Sequence, residues 1–203
     1  MANGKVITGY SKPYVALYNA NNGSPTYSGG MPLARGVDVS VEAETGDAVN
    51  FYADNVLAES VGGVFTGATI TLTVDGLKDA ARQLIMGLPE PSSVTVGQST
   101  TVDVYEYDDR QSIPYVGIGF IIRYMEQGVT TYQPVVFTKA AFSVDGIEAA
   151  TQEEEIEFQT TELEASLLRD DSTNHVWKKI AADQATEAGA EAVIRAILNI
   201  TGA

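Results

Sequence analysis

Cysteine is absent from this 203-residue sequence, and histidine occurs once, as His175. The first absence removes disulfides, thiolate metal sites and thiol nucleophiles together. The second deprives most metal and acid–base constellations of their usual member. Basic residues are scarce too: 12 Lys and Arg stand against 27 Asp and Glu, a net charge of −15. Charge of that sign repels phosphate and argues against ordinary nucleic-acid binding. No apolar run approaches the roughly 18 residues of a membrane-spanning helix. The start, Met-Ala-Asn-Gly-Lys with Val6-Ile7 behind it, lacks the apolar stretch of a signal peptide. The expectation is a protein made and kept in a cytoplasm, or assembled there into something larger.

What is present is a normal apolar content of 44 %, enough to build a core. Glycine is plentiful, 19 residues falling between apolar runs as in a turn-rich β protein. At about 150 residues per domain, the length fits one large domain with an elaboration. Pro13–Ala20 is rich in β-formers and ends in Asn-Asn-Gly, a turn signal; the SPTYSGGMP stretch after it reads as a loop. From Gly36 the alternation becomes regular. Val37, Val39, Val41 and Ala43 share one face, and Asp38, Ser40, Glu42 and Glu44 the other, predicting a strand with one dry and one acidic face. AVNFYADN then returns as a partner strand or an extended arm, and Asp54-Asn55 marks a turn.

Gly63–Val74 alternates again, with Ile70, Leu72 and Val74 inward and Thr69, Thr71 and Thr73 outward. The period then changes. Leu77, Ala80, Ala81, Leu84, Ile85 and Leu88 follow helical spacing, predicting a short amphipathic helix with Asp75 as N-cap and Gly87 past its end. Strands resume at Thr100–Tyr107, Tyr115–Glu126 and Thr130–Val144, with Gln127-Gly128 as a hairpin turn and Pro134 marking an edge or bulge. Residues 151–171 carry eight acidic residues against one Arg. Ile156 with Phe158, and Leu163 with Ala165 and Leu167, fit strands interrupted by a bulge better than a helix. Asp183–Asn199 closes the chain as a second amphipathic helix, an extension (residues 181–203) to a β domain over residues 1–180. The fold class is mainly β, of α+β composition.

Motifs for chemistry fail in turn. Phosphate-cradling Gly-rich loops and the GxSxG elbow are missing. His175, beside Trp177 and Lys178 on a late strand, reads as a packing or surface residue. Asp108-Asp109 and Glu153-Glu154-Glu155 lack the spaced acidic loop and central Gly of a calcium site. Paired carboxylates for acid–base work could be chosen anywhere, so the pattern selects none. The sequence therefore nominates no catalytic, cofactor-binding or metal-ligating residue. One feature stands apart: strands whose polar face is acidic throughout, with no Lys or Arg to balance it. A solvated sheet face normally mixes signs, because like charges across strands repel. Asp38, Glu42, Glu44, Glu155 and Glu157 are the candidates for such a face.

The segment LARGVDVSVEAETGDAVNFYADNVLAES, followed by FTGATITLTVDGLKDAARQLIMGL, resembles the major tail proteins of long, non-contractile-tailed bacteriophages of Gram-positive hosts. FQTTELEASLLRDD looks like that family's late strand, and the resemblance runs from about Lys5 to about Ile180. It implies a tail-tube β-sandwich with a helix on its flank, a non-enzymatic subunit of hexameric rings stacked into a hollow tube in the virion. It also implies partners: further copies of the chain, other tail proteins such as the tape measure and tail terminator, and DNA that passes without adhering. No membrane and no cofactor are implied. An acidic wall would be the lumen lining, repelling phosphate. Phe51, Tyr52, Val56 and Leu57 would form an arm packed on a neighbouring subunit, since apolar area on a protruding monomer arm is costly. The alternative from another class is a virion or cell-surface β-sandwich adhesin module that binds a carbohydrate or protein.

Overall fold

The alternating apolar residues do form strands, and the strands join one antiparallel sheet that folds over itself. A computed structural model describes residues 4–147, 149–151 and 158–201. The strands are β1 (Val6–Asn19), β2 (Thr26–Pro32), β3 (Gly36–Thr45), β4 (Val49–Ala53), β5 (Val56–Val61), β6 (Phe65–Val74), β7 (Ser92–Val96), β8 (Thr100–Val104), β9 (Val116–Glu126), β10 (Val129–Phe142), β11 (Thr161–Leu168) and β12 (Lys178–Ile180). The helices are α1 (Asp79–Met86) and α2 (Glu187–Ile197). The main sheet runs β2-β1-β9-β10-β11-β6-β3, with β12 also paired to β10. β4–β5 and β7–β8 are separate two-stranded ribbons.

Period 2 decides what is buried between the two halves of this sandwich. Ile70, Leu72 and Val74 of β6 and Leu163, Ala165 and Leu167 of β11 point inward; they share one core with Val15, Ile118, Phe120 and Phe137 from the other half. The halves also meet at the open edge. The Tyr10 ring of β1 lies against Gly36 of β3, where a Cβ would come within 2.1 Å of the ring, so only glycine fits. The Tyr10 hydroxyl is buried without a partner, and burial, reinforced by Asp38, pushes its pKa up.

α1 closes one side of this core, placing Ala81, Ile85 and Met86 inside it. Two details differ from the sequence reading. Asp75 does not cap the helix: its carboxylate accepts from the Arg35 backbone N–H (2.9 Å) and from Arg35 Nε (2.5 Å), and the N-cap is Lys78, with no side-chain cap bond. Leu77 and Leu84 are only half-buried, so the deepest apolar contacts are Ile85 and Met86, both fully enclosed. Gly87 does end the helix, in the left-handed conformation at φ 60°. Ile85→Ala removes a fully buried side chain at the sandwich edge and should cost about 2–5 kcal/mol. In a domain of this size that is a fall in melting temperature of roughly 10 °C. A thermal melt shifted by less than a degree or two would show that α1 is not part of the cooperative core.

α2 covers the opposite, outer face of β1, β9 and β10. Ala190, Ile194 and Leu198 pack on Tyr14, Ala16, Tyr18, Tyr27, Ile121 and Val136. Two glycines of β9 make the approach possible: a Cβ at Gly119 would sit 2.5 Å from Ile194 and one at Gly117 2.7 Å from Leu198. Thr186 caps the helix by accepting from the Gly189 N–H. Glu191 accepts from Tyr14 and pairs with Lys12, which together hold its carboxyl below the usual range.

Three further segments differ from expectation. SPTYSGGMP is strand β2, not loop, paired to β1 with Tyr27 buried and its hydroxyl donating to the Thr138 carbonyl (2.9 Å). His175 lies in an exposed turn at φ 49°, not on a strand. Phe158 is exposed and lies outside β11, whereas Leu163, Ala165 and Leu167 do alternate inward, as predicted. The proposed partner of Phe158, Ile156, lies outside the described residues. Pro134 sits in β10 at the end of β12, where its carbonyl accepts from Ala181 and its missing N–H leaves no gap in the β12 ladder.

Candidate functional site

The outer face of β3, β6 and β11 is built from the polar positions of three neighbouring strands. Directly paired residues in antiparallel strands share a face. The registers therefore define cross-strand rows: Asp38–Thr73–Glu162, Ser40–Thr71–Glu164 and Glu42–Thr69–Ser166, with Glu44 beside Gly67 beyond them. Asp38, Glu42, Glu44, Glu162 and Glu164 are all exposed, and none of the three strands contains Lys or Arg. The cations that border these strands are engaged elsewhere: Lys139 of β10 pairs with Asp171 (2.8 Å) over the rings of Tyr18 and Tyr115, Arg169 just past β11 donates to the Phe65 carbonyl (3.0 Å), and Arg35 just before β3 binds Asp75.

The threonine row explains how so uniform a face remains stable. Strands lie about 4.8 Å apart, so carboxylates on β3 and β11 are separated by about 10 Å with a hydroxyl between them. In water, two unit charges at that distance repel by about 0.4 kcal/mol, and physiological salt screens much of it. The face thus carries a dense negative field at small cost to the fold. Hydroxyl and carboxylate oxygens offer a phosphate backbone no charged donor. Any polyanion close to this surface meets repulsion without adhesion.

Asp38, Glu42 and Glu44 come together on this face as the sequence indicated, whereas Glu155 and Glu157 lie outside the described residues. Sequence reasoning missed Glu162 and Glu164. Their signal was present: Glu162 and Glu164 alternate with Leu163 and Ala165 in the same way as Asp38 and Glu42 alternate with the valines. The dry face expected on β3 is largely wet, with Val37 54 % exposed and Ala43 also open to solvent. The reason is position: β3 is the edge strand and overhangs the core that β6 and β11 cover.

A second feature is the β4–β5 ribbon, in which every residue is exposed. Asp54 and Asn55 adopt positive φ (51° and 64°), the paired left-handed geometry of a tight hairpin turn. Phe51 faces Glu59 and Ala53 faces Val56 on one side; Tyr52 faces Leu57 on the other. Phe51, Tyr52, Val56 and Leu57 therefore belong to one ribbon but to both its faces. Phe51 and Val56 are each about two-thirds exposed. An isolated two-stranded ribbon is marginally stable in water, and this one buries nothing of its own. The β7–β8 ribbon likewise leaves Val94, Val96, Val102 and Val104 exposed.

Other acidic positions are committed locally. Asp108 binds the backbone N–H and guanidinium of Arg110, which hold its carboxyl below the usual range. Asp145 accepts from Tyr107 (3.0 Å) and Arg82 (3.0 Å). No protein-family model matches this chain, and no curated protein sequence matches it significantly.

Proposed function

We propose that this chain is the structural, non-enzymatic subunit of a bacteriophage tail tube. Copies associate into hexameric rings, the rings stack in the virion, and the β3–β6–β11 face lines a channel for DNA. The observation that carries the reading is the single-sign face: five exposed carboxylates across a row of threonines, with no cation on those strands. A surface meant only for solvent gains from mixed charge. A surface that a polyanion must slide past gains from having none of the opposite sign, because no counterions are released and no contact forms. The β4–β5 ribbon supports the same reading, since its apolar area is uncovered in the isolated chain and a neighbouring copy would cover it. Tape-measure and terminator proteins are the expected partners of such a tube.

The test is the assembly state of the purified protein. Negative-stain microscopy with sedimentation velocity should show rings or hollow tubes whose fraction rises with concentration. A monodisperse monomer at all concentrations would overturn the tube reading, and one that bound glycans would establish the adhesin alternative.

A further inference from the structure

We propose that the β4–β5 ribbon of one copy seats in a particular groove of the next: the cleft between the β2–β3 connection and the start of α1. This rests on the self-assembling reading above and names the surface that receives the arm. The cleft has a volume of about 540 Å³ and is lined by Met31, Pro32, Ala34 and Ala80, with Arg35, Lys78 and one carboxylate, Asp75, as its charged lining residues. Arg35 and Lys78 are exposed.

Charge selects this occupant. Residues 44–60 carry Glu44, Asp47, Asp54 and Glu59 and no Lys or Arg, so the arm is apolar with an acidic fringe. Its receptor should be apolar with a basic fringe, which is uncommon on a chain of net charge −15. Lys78 makes no ion pair among the described residues. Arg35 binds Asp75 through its backbone N–H and Nε, while its side chain stays 91 % exposed. The complementary face of the arm is the one bearing Phe51 and Val56, because Glu59 lies directly opposite Phe51 on it. Phe51 and Val56 enter the cleft, and Glu59 meets Lys78.

Topology makes this docking head-to-tail. The arm springs from the Thr45 end of β3 and the Phe65 end of β6, and the cleft lies where β3 begins and β6 runs into Asp75-Gly76. The two surfaces are separated by the length of a 10-residue strand, about 30 Å. They are different patches of one molecule, so the contact, repeated head-to-tail from copy to copy, propagates into a ring or a stack.

Because the chain has no cysteine, cross-linking reads the contact without background. F51C chain is mixed with A80C chain, assembled and oxidised, with K179C in place of A80C as the control. A disulfide-linked dimer should form wherever an F51C arm meets an A80C groove, up to the share that random mixing of the two chains allows, and not with the control. Separately, K78E and E59K should each weaken assembly at least tenfold, and the K78E/E59K double variant should recover most of the loss. All are exposed positions, and unchanged thermal melts establish that the variants fold. Tubes that form without the 51–80 cross-link, or a double variant no better than the singles, would overturn the groove assignment and leave the tube reading standing. So would K78E chain that assembles normally but fails to join another tail component. Cross-linked open fibres without a hollow centre would keep the docking and overturn the tube. A wild type that never assembles and never cross-links removes both.

Discussion

A chain lacking Phe51–Asn55 is expected to fold and to remain monomeric at concentrations where the wild type assembles. The fold should survive because no residue of β4 or β5 is buried in either core; the buried clusters draw on β1, β2, β6, β9, β10, β11 and the two helices. Assembly should fail because the arm supplies exposed apolar side chains to an association that otherwise carries like charge on every copy. Burying Phe51 and Val56 in a neighbour's cleft is worth roughly 1.5–3 kcal/mol each before costs. That sum is comparable with the lower end of the 4–15 kcal/mol that association loses in translational and rotational freedom. Removing it should weaken each contact by about three orders of magnitude. A variant that keeps the ribbon, F51S/V56S, separates loss of contact from loss of backbone and should show the same monomer. Sedimentation velocity reads the association and a thermal melt reads the fold. Normal tubes from either variant would show that the arm is not an assembly element.

Local pattern made the central strands and both helices readable, because each has a period that burial obeys. Ile70, Leu72 and Val74 point inward on β6 as their alternation requires, and Gln127-Gly128 turns β9 into β10 with both residues at positive φ. β2 was not readable, because its identity is set by partners far away in sequence. Gly29 and Gly30 lower its strand propensity, yet Gly30 is needed there: a Cβ would lie 2.4 Å from Ile200, which arrives with the C-terminal segment. Asp75 was misread for a related reason, since a helix cap is a local inference and Arg35, forty residues earlier, takes the carboxylate instead. β7 was hidden behind Pro89 and Pro91, and only its partner β8 showed a clear pattern. The acidic face was half-legible. Its β3 members stand in a clean alternation, but that Glu162 and Glu164 join them depends on β6 lying between β3 and β11, a non-local pairing that periodicity cannot supply.

Reversing charge on that face separates a channel lining from an ordinary solvated surface. Glu42 of β3 and Glu164 of β11 flank the row of Thr69 and Thr71, and both side chains are exposed with no basic partner on their strands. E42K/E164K should therefore fold with little change in stability, since surface substitutions away from buried groups usually fall within about 0.5 kcal/mol. Assembly should also persist, because neither residue belongs to the arm or to the groove. If the face lines a channel, every copy in every ring now offers two ammonium groups to the passing backbone. Each phosphate they neutralise releases counterions, so DNA should adhere and genome release from particles built with the variant should slow. The salt dependence identifies the cause. At about 0.01 M the screening length is about 30 Å and the retarding field spans the channel; at 1 M it is about 3 Å and release should recover toward the wild-type rate. A lining disturbed only in shape would be slow at every salt concentration. On the outside of a tube, the same lysines would attract DNA to the exterior, where nuclease removes it, and release would keep its wild-type rate. Release that is unchanged across the salt series, from particles shown to contain the variant, would take the β3–β6–β11 face out of the channel.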